Sequence, residues 1–229
     1  LLPARAFDAH KGRFGHLLII AGSTGKSGAA MLCSTAAMRC GTGLVTLGLP
    51  GSLNKYVEPC LIEPMTVPLP ETKPKGHLSE KSFEEIMGLM QGKTALAAGP
   101  GIGTQKSTQA LVRRLVEQVR LPMILDADAL NCLADDPDIF QRRQAPLILT
   151  PHPGEMARLC GITTAEVQAD RIGIAADFAR QYQVIVVLKG AQTLVSFPDG
   201  QTCICPTGNP GMASGGMGDV LTGIIAGFC

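Results

Sequence analysis

The sequence predicts an α/β protein with a mostly parallel central sheet, helices on both faces and an antiparallel hairpin late in the chain. Short continuous apolar runs alternate with helix-period segments along the 229 residues, which is typical of parallel strands buried on both faces. Two short alternating segments, 193–197 and 201–205, flank the turn residues Asp199-Gly200 and predict the hairpin. No internal repeat or linker is visible, so we expect one domain over residues 1–229.

The strand predictions rest on apolar runs of about five residues. Leu17-Leu-Ile-Ile-Ala21 is the first, and Val184-Ile-Val-Val-Leu188 is the most strand-like run of the chain. Residues 58–70 contain four prolines, which confines a strand to the edge of a sheet or makes it irregular. The predicted strands cover residues 17–21, 44–48, 58–70, 94–98, 122–126, 146–150, 184–188, 193–197 and 201–205.

The helix predictions rest on 3.6-residue periodicity and on capping residues. Residues 27–40 are rich in Ala and other small residues, which favours close packing. Ser79 is a candidate N-cap for the helix at 78–90, and Thr163 or Thr164 for a long helix at 163–182. The predicted helices cover residues 27–40, 78–90, 106–119, 163–182 and 213–228.

Composition excludes several classes of function. Apolar residues make up 45% of the chain and charged residues 17%, as in a compact globular protein rather than a disordered one. A formal net charge of +1 and an aromatic content of 4% indicate neither a nucleic acid nor an anionic membrane as partner. No apolar run reaches the roughly 18 residues of a membrane span.

The eight cysteines contain no CxxC pair, so we expect reduced thiols acting as small apolar side chains, and a cytoplasmic protein. The chain begins without an initiator Met and stops at Cys229 within an apolar helical run. We therefore expect a piece of a longer protein.

A glycine-rich turn late in the chain predicts a phosphate site. Five glycines, at positions 208, 211, 215, 216 and 218, lead into a helix beginning near Asp219. Free backbone N–H groups and the helix dipole favour an anion there. Asp219 could cap the helix, or remove a proton from a hydroxyl that faces a γ-phosphate. The turn thus predicts an enzyme that uses ATP or ADP.

Other strand ends carry polar residues, and ligands of open α/β sheets lie beyond the carboxyl ends of the strands. Asp126-Ala-Asp128-Ala-Leu-Asn131 follows a predicted strand, and two carboxylates there suit water-mediated metal binding or helix capping. In Thr150-Pro-His-Pro-Gly-Glu155 the prolines hold His152 rigidly at a sheet end, which favours contact with a ligand. Glu155 and Asp128 are the candidates for holding Mg²⁺, through water.

Two earlier glycine turns are weak signals. Gly25-Lys26-Ser27 precedes a helix, but a P-loop needs a Gly at position 20, where Ile stands. Gly99-Pro-Gly-Ile-Gly103 is GxGxG rather than the dinucleotide-binding GxGxxG. A tight backbone turn is expected at both places, and a substrate-contacting role for the first stays open.

These segments together resemble the ADP/ATP-dependent NAD(P)H-hydrate dehydratase family of the ribokinase-like superfamily, often the C-terminal half of a bifunctional repair enzyme. Gly215-Gly-Met-Gly-Asp219 is similar to the anion-hole motif of that superfamily. The resemblance covers nearly the whole chain in order. Its other segments are His10-Lys-Gly-Arg-Phe-Gly15, Ala21-Gly-Ser23, Gly99-Pro-Gly-Ile-Gly103, Asp126-Ala-Asp-Ala-Leu-Asn131, Thr150-Pro-His-Pro-Gly-Glu155, Leu188-Lys-Gly190 and Gly208-Asn-Pro-Gly-Met-Ala213.

The resemblance implies a ribokinase-like fold and a hydro-lyase that repairs the S-epimer of hydrated NADH or NADPH. The nucleotide, ADP or ATP with Mg²⁺, phosphorylates the hydroxyl of the hydrated ring, and phosphate then leaves. Asp219 is implied as the base on that hydroxyl, and Ala30, Gly103 and His152 as further substrate contacts. The implied nucleotide contacts are Lys189, Gly190, Ala191, Gln192, Thr193, Gly216 and Gly218.

The resemblance also implies a homotetramer and an N-terminal epimerase domain. Two other functions stay open at this point. One is a small-molecule kinase of the same superfamily, of the hydroxymethylpyrimidine or hydroxyethylthiazole kinase type. The other is a nucleotide-binding sensor without catalysis.

Overall fold

The computed structural model describes residues 4–74 and 76–229. Its strands are β1 His16–Ile20, β2 Leu44–Pro50, β3 Met65–Leu69, β4 Ala95–Ala98, β5 Met123–Leu125, β6 Leu147–Leu149, β7 Ile185–Leu188, β8 Leu194–Ser196 and β9 Thr202–Ile204. They form one sheet in the order β3-β2-β1-β4-β5-β6-β7-β8-β9. Strands β1 to β7 pair in parallel, and β8 and β9 pair antiparallel at one edge. The mostly parallel sheet and its late hairpin are confirmed.

The helices are α1 Ser27–Arg39, α2 Gly51–Val57, α3 Ser82–Leu89, α4 Lys106–Gln118, α5 Asp128–Leu133, α6 Pro153–Cys160, α7 Thr164–Ala169, α8 Arg171–Tyr182 and α9 Met217–Gly227. Short 3₁₀ segments lie at Lys11–Phe14, Glu58–Cys60, Pro137–Arg142 and Pro210–Met212. Helices α2, α5 and α6 were not predicted, because six to eight residues are too few to show a helical period. Within the described ranges no helix is long and apolar enough to span a bilayer.

Both faces of the sheet are buried, as predicted. Successive side chains of a strand point to opposite faces, and in β1 Leu18 and Ile20 join one core while Leu17 and Ile19 join the other. Helices α3 to α8 cover the first face. Helices α1, α2 and α9 cover the second.

Two local predictions need correction. The segment 163–182 is two helices, because Asp170 leaves the helical conformation (φ −142°) and its side chain accepts a hydrogen bond from Gly173 N at 2.9 Å. Thr163 caps the first of them, as predicted. Ser79 is not an N-cap: α3 begins at Ser82, and the Ser79 hydroxyl accepts from Lys81 N in the preceding turn.

The last helix starts later than predicted and packs tightly. Its N-cap is Gly216 with φ 91°, a left-handed conformation that glycine adopts without strain. A Cβ at Gly223 would overlap the carbonyl oxygen of Cys33 in α1. The small residues predicted for α1 therefore let the backbones of α1 and α9 touch.

Candidate functional site

A cavity of about 920 Å³ lies beyond the carboxyl ends of β6 and β7, beside the N-terminus of α9. It brings together His152, the whole of segment 189–193 and Gly218, which the sequence places far apart. The predicted nucleotide residues Gly190, Ala191, Gln192 and Thr193 thus share one cleft with Lys189. Gly216 and Asp219 lie beside this lining, in the turn that starts α9.

A buried carboxylate lies below the cavity. Asp126 follows β5 and is 1% exposed. Its Oδ1 accepts hydrogen bonds from Lys189 Nζ and Thr150 Oγ1, both at 2.7 Å. Its Oδ2 accepts from Thr222 Oγ1 at 2.8 Å. The Lys189 ammonium is therefore held at the cavity floor by a charge-assisted bond.

The loop at His152 is a helix cap as well as a cavity wall. The His152 Nδ1 accepts a hydrogen bond from Gly154 N, and Glu155 Oε2 accepts one from His152 N, so that α6 begins with a capping box. The imidazole is half-exposed, whereas Glu155 is buried and lies 3.8 Å from Lys189 Nζ. Glu155 thus ties the His152 loop to the lysine.

Asp219 stands in the first turn of α9 and does not cap that helix. Burial raises the pKa of its carboxyl above the ordinary range, and the negative charge of Asp126 raises it further, while Lys189 opposes the rise. The first-turn N–H groups of a helix have no intrahelical acceptor. A proton acceptor and anion-binding amides therefore sit side by side, which is what a phosphoryl transfer to a hydroxyl needs.

A second polar cluster lies at the ends of β1, β4 and β5. Asp128 Oδ2 accepts hydrogen bonds from Lys26 Nζ at 2.8 Å and from the backbone N of Gly103 at 2.9 Å. Gly103 has φ 81°, so glycine suits the turn. Lys26, whose role the sequence did not explain, thus forms an ion pair with Asp128 and does not form a triphosphate-binding P-loop.

The structure holds Asp128 and Glu155 in other interactions. The described ranges contain no group of three His, Cys, Asp or Glu side chains placed to hold a metal ion. Mg²⁺ commonly keeps several waters and takes one or two carboxylates together with substrate phosphates. These two carboxylates therefore fit only the water-mediated contacts that were predicted for them.

Two predicted substrate contacts are buried. Ala30 is 0% exposed, and a Cβ at Gly22 would lie 3.1 Å from the Ala30 Cβ. Gly103 is buried too, between Asp128 and the Gln105 and His77 side chains. The structure does not bring Ala30 to the cleft surface, and its contact with substrate stays a prediction.

Sequence reasoning missed the part that Asp126 and Thr222 play. The signal for Asp126 was present, since a carboxylate directly after a buried apolar strand must find partners. No sequence pattern pointed to Thr222, because a threonine within an apolar helix is common. Its role is visible only in the folded chain, where it lies opposite Asp126.

Comparison with known proteins identifies the family of the chain. Residues 17–229 match the family model described as NAD(P)H-hydrate dehydratase. The bifunctional NAD(P)H-hydrate repair enzyme Nnr of Moorella thermoacetica is 48% identical over 227 residues, covering 99% of this chain and 43% of that protein. The chain thus spans less than half the length of this relative.

Solved structures show the same fold. The ADP/ATP-dependent NAD(P)H-hydrate dehydratase of Bacillus subtilis, co-crystallized with ATP/Mg²⁺, superposes with a TM-score of 0.82 at 36% identity, covering 99% of this chain and 76% of that one. A ribokinase-like superfamily protein of Enterococcus faecalis gives 0.77 at 25% identity, covering 98% and 74%. The ribokinase-like fold is confirmed, and the chain belongs to the NAD(P)H-hydrate dehydratase family.

Proposed function

We propose that this chain dehydrates the S-epimer of hydrated NADH and NADPH in a nucleotide-dependent reaction that releases phosphate. The observation that carries the proposal is the cleft in which Lys189 and the first turn of α9 lie beside Asp219. Family membership supports the substrate. The solved relative that was co-crystallized with ATP/Mg²⁺ supports ADP or ATP as the co-substrate.

In this proposal Asp219 accepts the proton of the ring hydroxyl while that oxygen bonds to the terminal phosphorus of the nucleotide. The bond from phosphorus to the nucleotide's bridging oxygen breaks. The carbon–oxygen bond of the phosphorylated ring then breaks and phosphate leaves. The neighbouring ring carbon loses a proton to water, and the electrons of that carbon–hydrogen bond restore the double bond. Phosphorylation is useful because phosphate is a far better leaving group than hydroxide.

The cleft supplies the charge that this transfer needs. The Lys189 ammonium and the first-turn amides of α9 stabilise the negative charge on the transferring phosphoryl group. Residues 190–193 and Gly216 contact the rest of the nucleotide, and His152, Gly103 and Ala30 the hydrated dinucleotide. Mg²⁺, when bound to the phosphates, would neutralise further charge, with Glu155 and Asp128 reaching it through water.

The alternative, a kinase of the hydroxyethylthiazole type, would stop at a stable phosphoester. Identity of 48% to a repair enzyme favours dehydration. A sensor that binds the nucleotide without turnover would not need a proton acceptor, whereas Asp219, whose pKa is raised, lies beside the cleft.

The test is incubation of hydrated NADH with Mg²⁺ and either ATP or ADP. Recovery of the absorbance of the reduced nicotinamide, with one phosphate released per ring, is the expected result. No recovery with either nucleotide would overturn the proposal, and a phosphorylated product that accumulates would establish the kinase.

The proposal extends to assembly. Residues 1–229 act as one catalytic domain, within a homotetramer, in a protein that also has an N-terminal epimerase domain. The bifunctional relative of Moorella thermoacetica, of which the chain covers 43%, supports a further domain. A cytoplasmic location fits the eight free cysteines. Light scattering of the purified chain measures the oligomeric state, and a monomer would contradict that part.

A further inference from the structure

One side chain joins the two halves of the phosphate-binding cleft. Lys189 follows β7, and Gly218 lies in the first turn of α9. Asp126 is close to both residues. The carboxylate is bonded on one oxygen to Lys189 Nζ and on the other to Thr222 Oγ1. The Thr222 hydroxyl also lies 3.1 Å from Gly218 O, one turn earlier in α9.

Burial makes this arrangement stiff. A buried carboxylate is costly unless it is paired and hydrogen-bonded, and Asp126 has two hydroxyl donors and an ammonium as partners. Lys189 is 18% exposed, and its ion pair with Asp126 at 2.7 Å is shorter than its approach to Glu155 at 3.8 Å. The Asp219 carboxyl is also close enough for the lysine to lower its pKa. The charge of Asp126 therefore decides where the ammonium lies.

The α9 backbone approaches this ion pair closely. A Cβ built on Gly218 would lie 3.4 Å from Lys189 Nζ and 4.0 Å from Asp126 Oδ2. The first turn of α9 thus rests on the lysine and on the aspartate together. A shift of either one would move the amides that face the cleft.

We propose that Asp126 is a positioning residue that fixes the Lys189 ammonium against the first turn of α9, and thereby sets the affinity for the nucleotide phosphates. The inference rests on the proposed function, since it takes the cleft to bind ADP or ATP. Asp126 acts through Lys189 and Thr222 and does not itself touch the nucleotide.

The test compares Asp126→Asn and Thr222→Val with Asp136→Asn. Asp136 is a matched control, because it is an aspartate paired with arginines, Arg113 and Arg142, outside the cleft. Calorimetric titration with ADP and with ATP, without the hydrated dinucleotide, measures nucleotide affinity. Kinetics then gives KM separately for nucleotide and hydrate.

We expect Asp126→Asn to raise the nucleotide Kd about tenfold or more, equivalent to about 1.4 kcal/mol, with a much smaller change in KM for the hydrate. Thr222→Val, which keeps the carboxylate, should raise the Kd less. Asp136→Asn should leave it unchanged. In a Lys189→Met background Asp126→Asn should add little, because groups that act as a unit are not additive.

The inference alone is overturned by wild-type nucleotide affinity in Asp126→Asn, or by equal weakening of nucleotide and hydrate binding. Fully additive effects of Asp126→Asn and Lys189→Met also overturn it. If Asp126→Asn does not fold, Thr222→Val decides, and unchanged affinity there counts against the inference. A wild-type chain that binds neither nucleotide overturns the proposed function as well.

Discussion

At the scale of a single residue, the position of Asp219 and the pKa of its carboxyl have opposite effects on its use as a base. Its position beside the anion-binding amides suits a base, but burial and the neighbouring charge of Asp126 raise its pKa. Asp128 adds to that rise, and Lys189 counters it. Burial raises the pKa of the Cys33 thiol in α1, and the negative charges of Asp126 and Asp219 raise it further.

We expect Asp219→Asn to lower kcat by about 10²- to 10⁴-fold, the usual contribution of a general base, while raising the melting temperature at neutral pH. Because folding raises the pKa of this carboxyl, stability from the group is complete below the unfolded value and is lost as pH rises through the folded value. The gain in melting temperature should therefore vanish in acid. Calorimetry across pH measures it, and a lower melting temperature at pH 7 would contradict burial as the cause of the raised pKa.

For the wild type the same shift predicts that kcat/KM falls in acid at a pH above the ordinary aspartate value of about 3.9. A pH profile that stays flat down to that value would remove Asp219 as the titrating base.

His152 serves the cleft and caps α6, so its variants must separate the two roles. His152→Ala should raise KM for the hydrate more than for the nucleotide, and should also cost about 0.5–2 kcal/mol of stability through the lost cap. His152→Asn keeps a side-chain acceptor at the N-cap and should show the KM effect without most of the stability loss. Equal increases in both KM values would contradict a role of His152 specific to the hydrate, since the predicted nucleotide contacts line the same cavity.

At the scale of elements, the site depends on how closely α9 lies on α1. Cβ atoms at Gly223 and Gly227 would overlap α1 or the residues just after it, and one at Gly216 would overlap the Leu32 side chain. The three glycines thus allow α9 to lie close to α1, with its N-terminus near the carboxyl ends of the strands. The packing of the apolar face of α9 therefore positions Asp219 and the first-turn amides.

Gly223→Ala should destabilise the protein by about 1–3 kcal/mol, as overpacking does, and should weaken nucleotide binding because the start of α9 shifts. Gly88→Ala in α3 is the matched control, since a Cβ there meets nothing within 4 Å. It should stabilise the protein by up to about 1 kcal/mol through helix propensity. Urea denaturation measures both, and a neutral Gly223→Ala would contradict the close contact.

At the scale of the whole molecule, strand order decides which helices cover which face. From β1 the chain moves outward through β2 to β3, and from β4 it moves the opposite way to β7. Crossovers between parallel strands are right-handed, so reversing direction moves the connecting helices to the other face. Thus α1 and α2 cover one face and α4 to α8 the other.

The cysteines offer a test of this burial over the whole chain. All eight are free: Cys33 and Cys132 are buried, Cys40 and Cys160 are intermediate, and Cys60, Cys203, Cys205 and Cys229 are exposed. The expectation of small apolar side chains thus holds only for the buried ones. We expect a thiol reagent to label the four exposed thiols rapidly in the native protein, and all eight after unfolding in denaturant. Fast native labelling of Cys33 would contradict the packing of α1 on the sheet.

Patterns among residues close together in the sequence were enough to identify most helices and strands. Apolar runs marked most of the strands, the prolines of 58–70 marked β3 as an edge strand, and Asp199-Gly200 marked the hairpin. Thr163 and Thr164 were both candidate caps because they lie next to the predicted helix, and the structure shows that Thr163 is the cap. The glycine turn before Asp219 predicted an anion site for the same reason.

Which distant side chains meet was settled only by the folded chain. Lys189 pairs with Asp126 across 63 positions, Thr222 with Asp126 across 96, and Lys26 with Asp128 across 102. Those contacts are set by strand order and by the close approach of α9, which no local pattern records. The burial of Ala30 likewise depends on packing, because a side chain's surroundings are formed by elements that come from elsewhere in the chain.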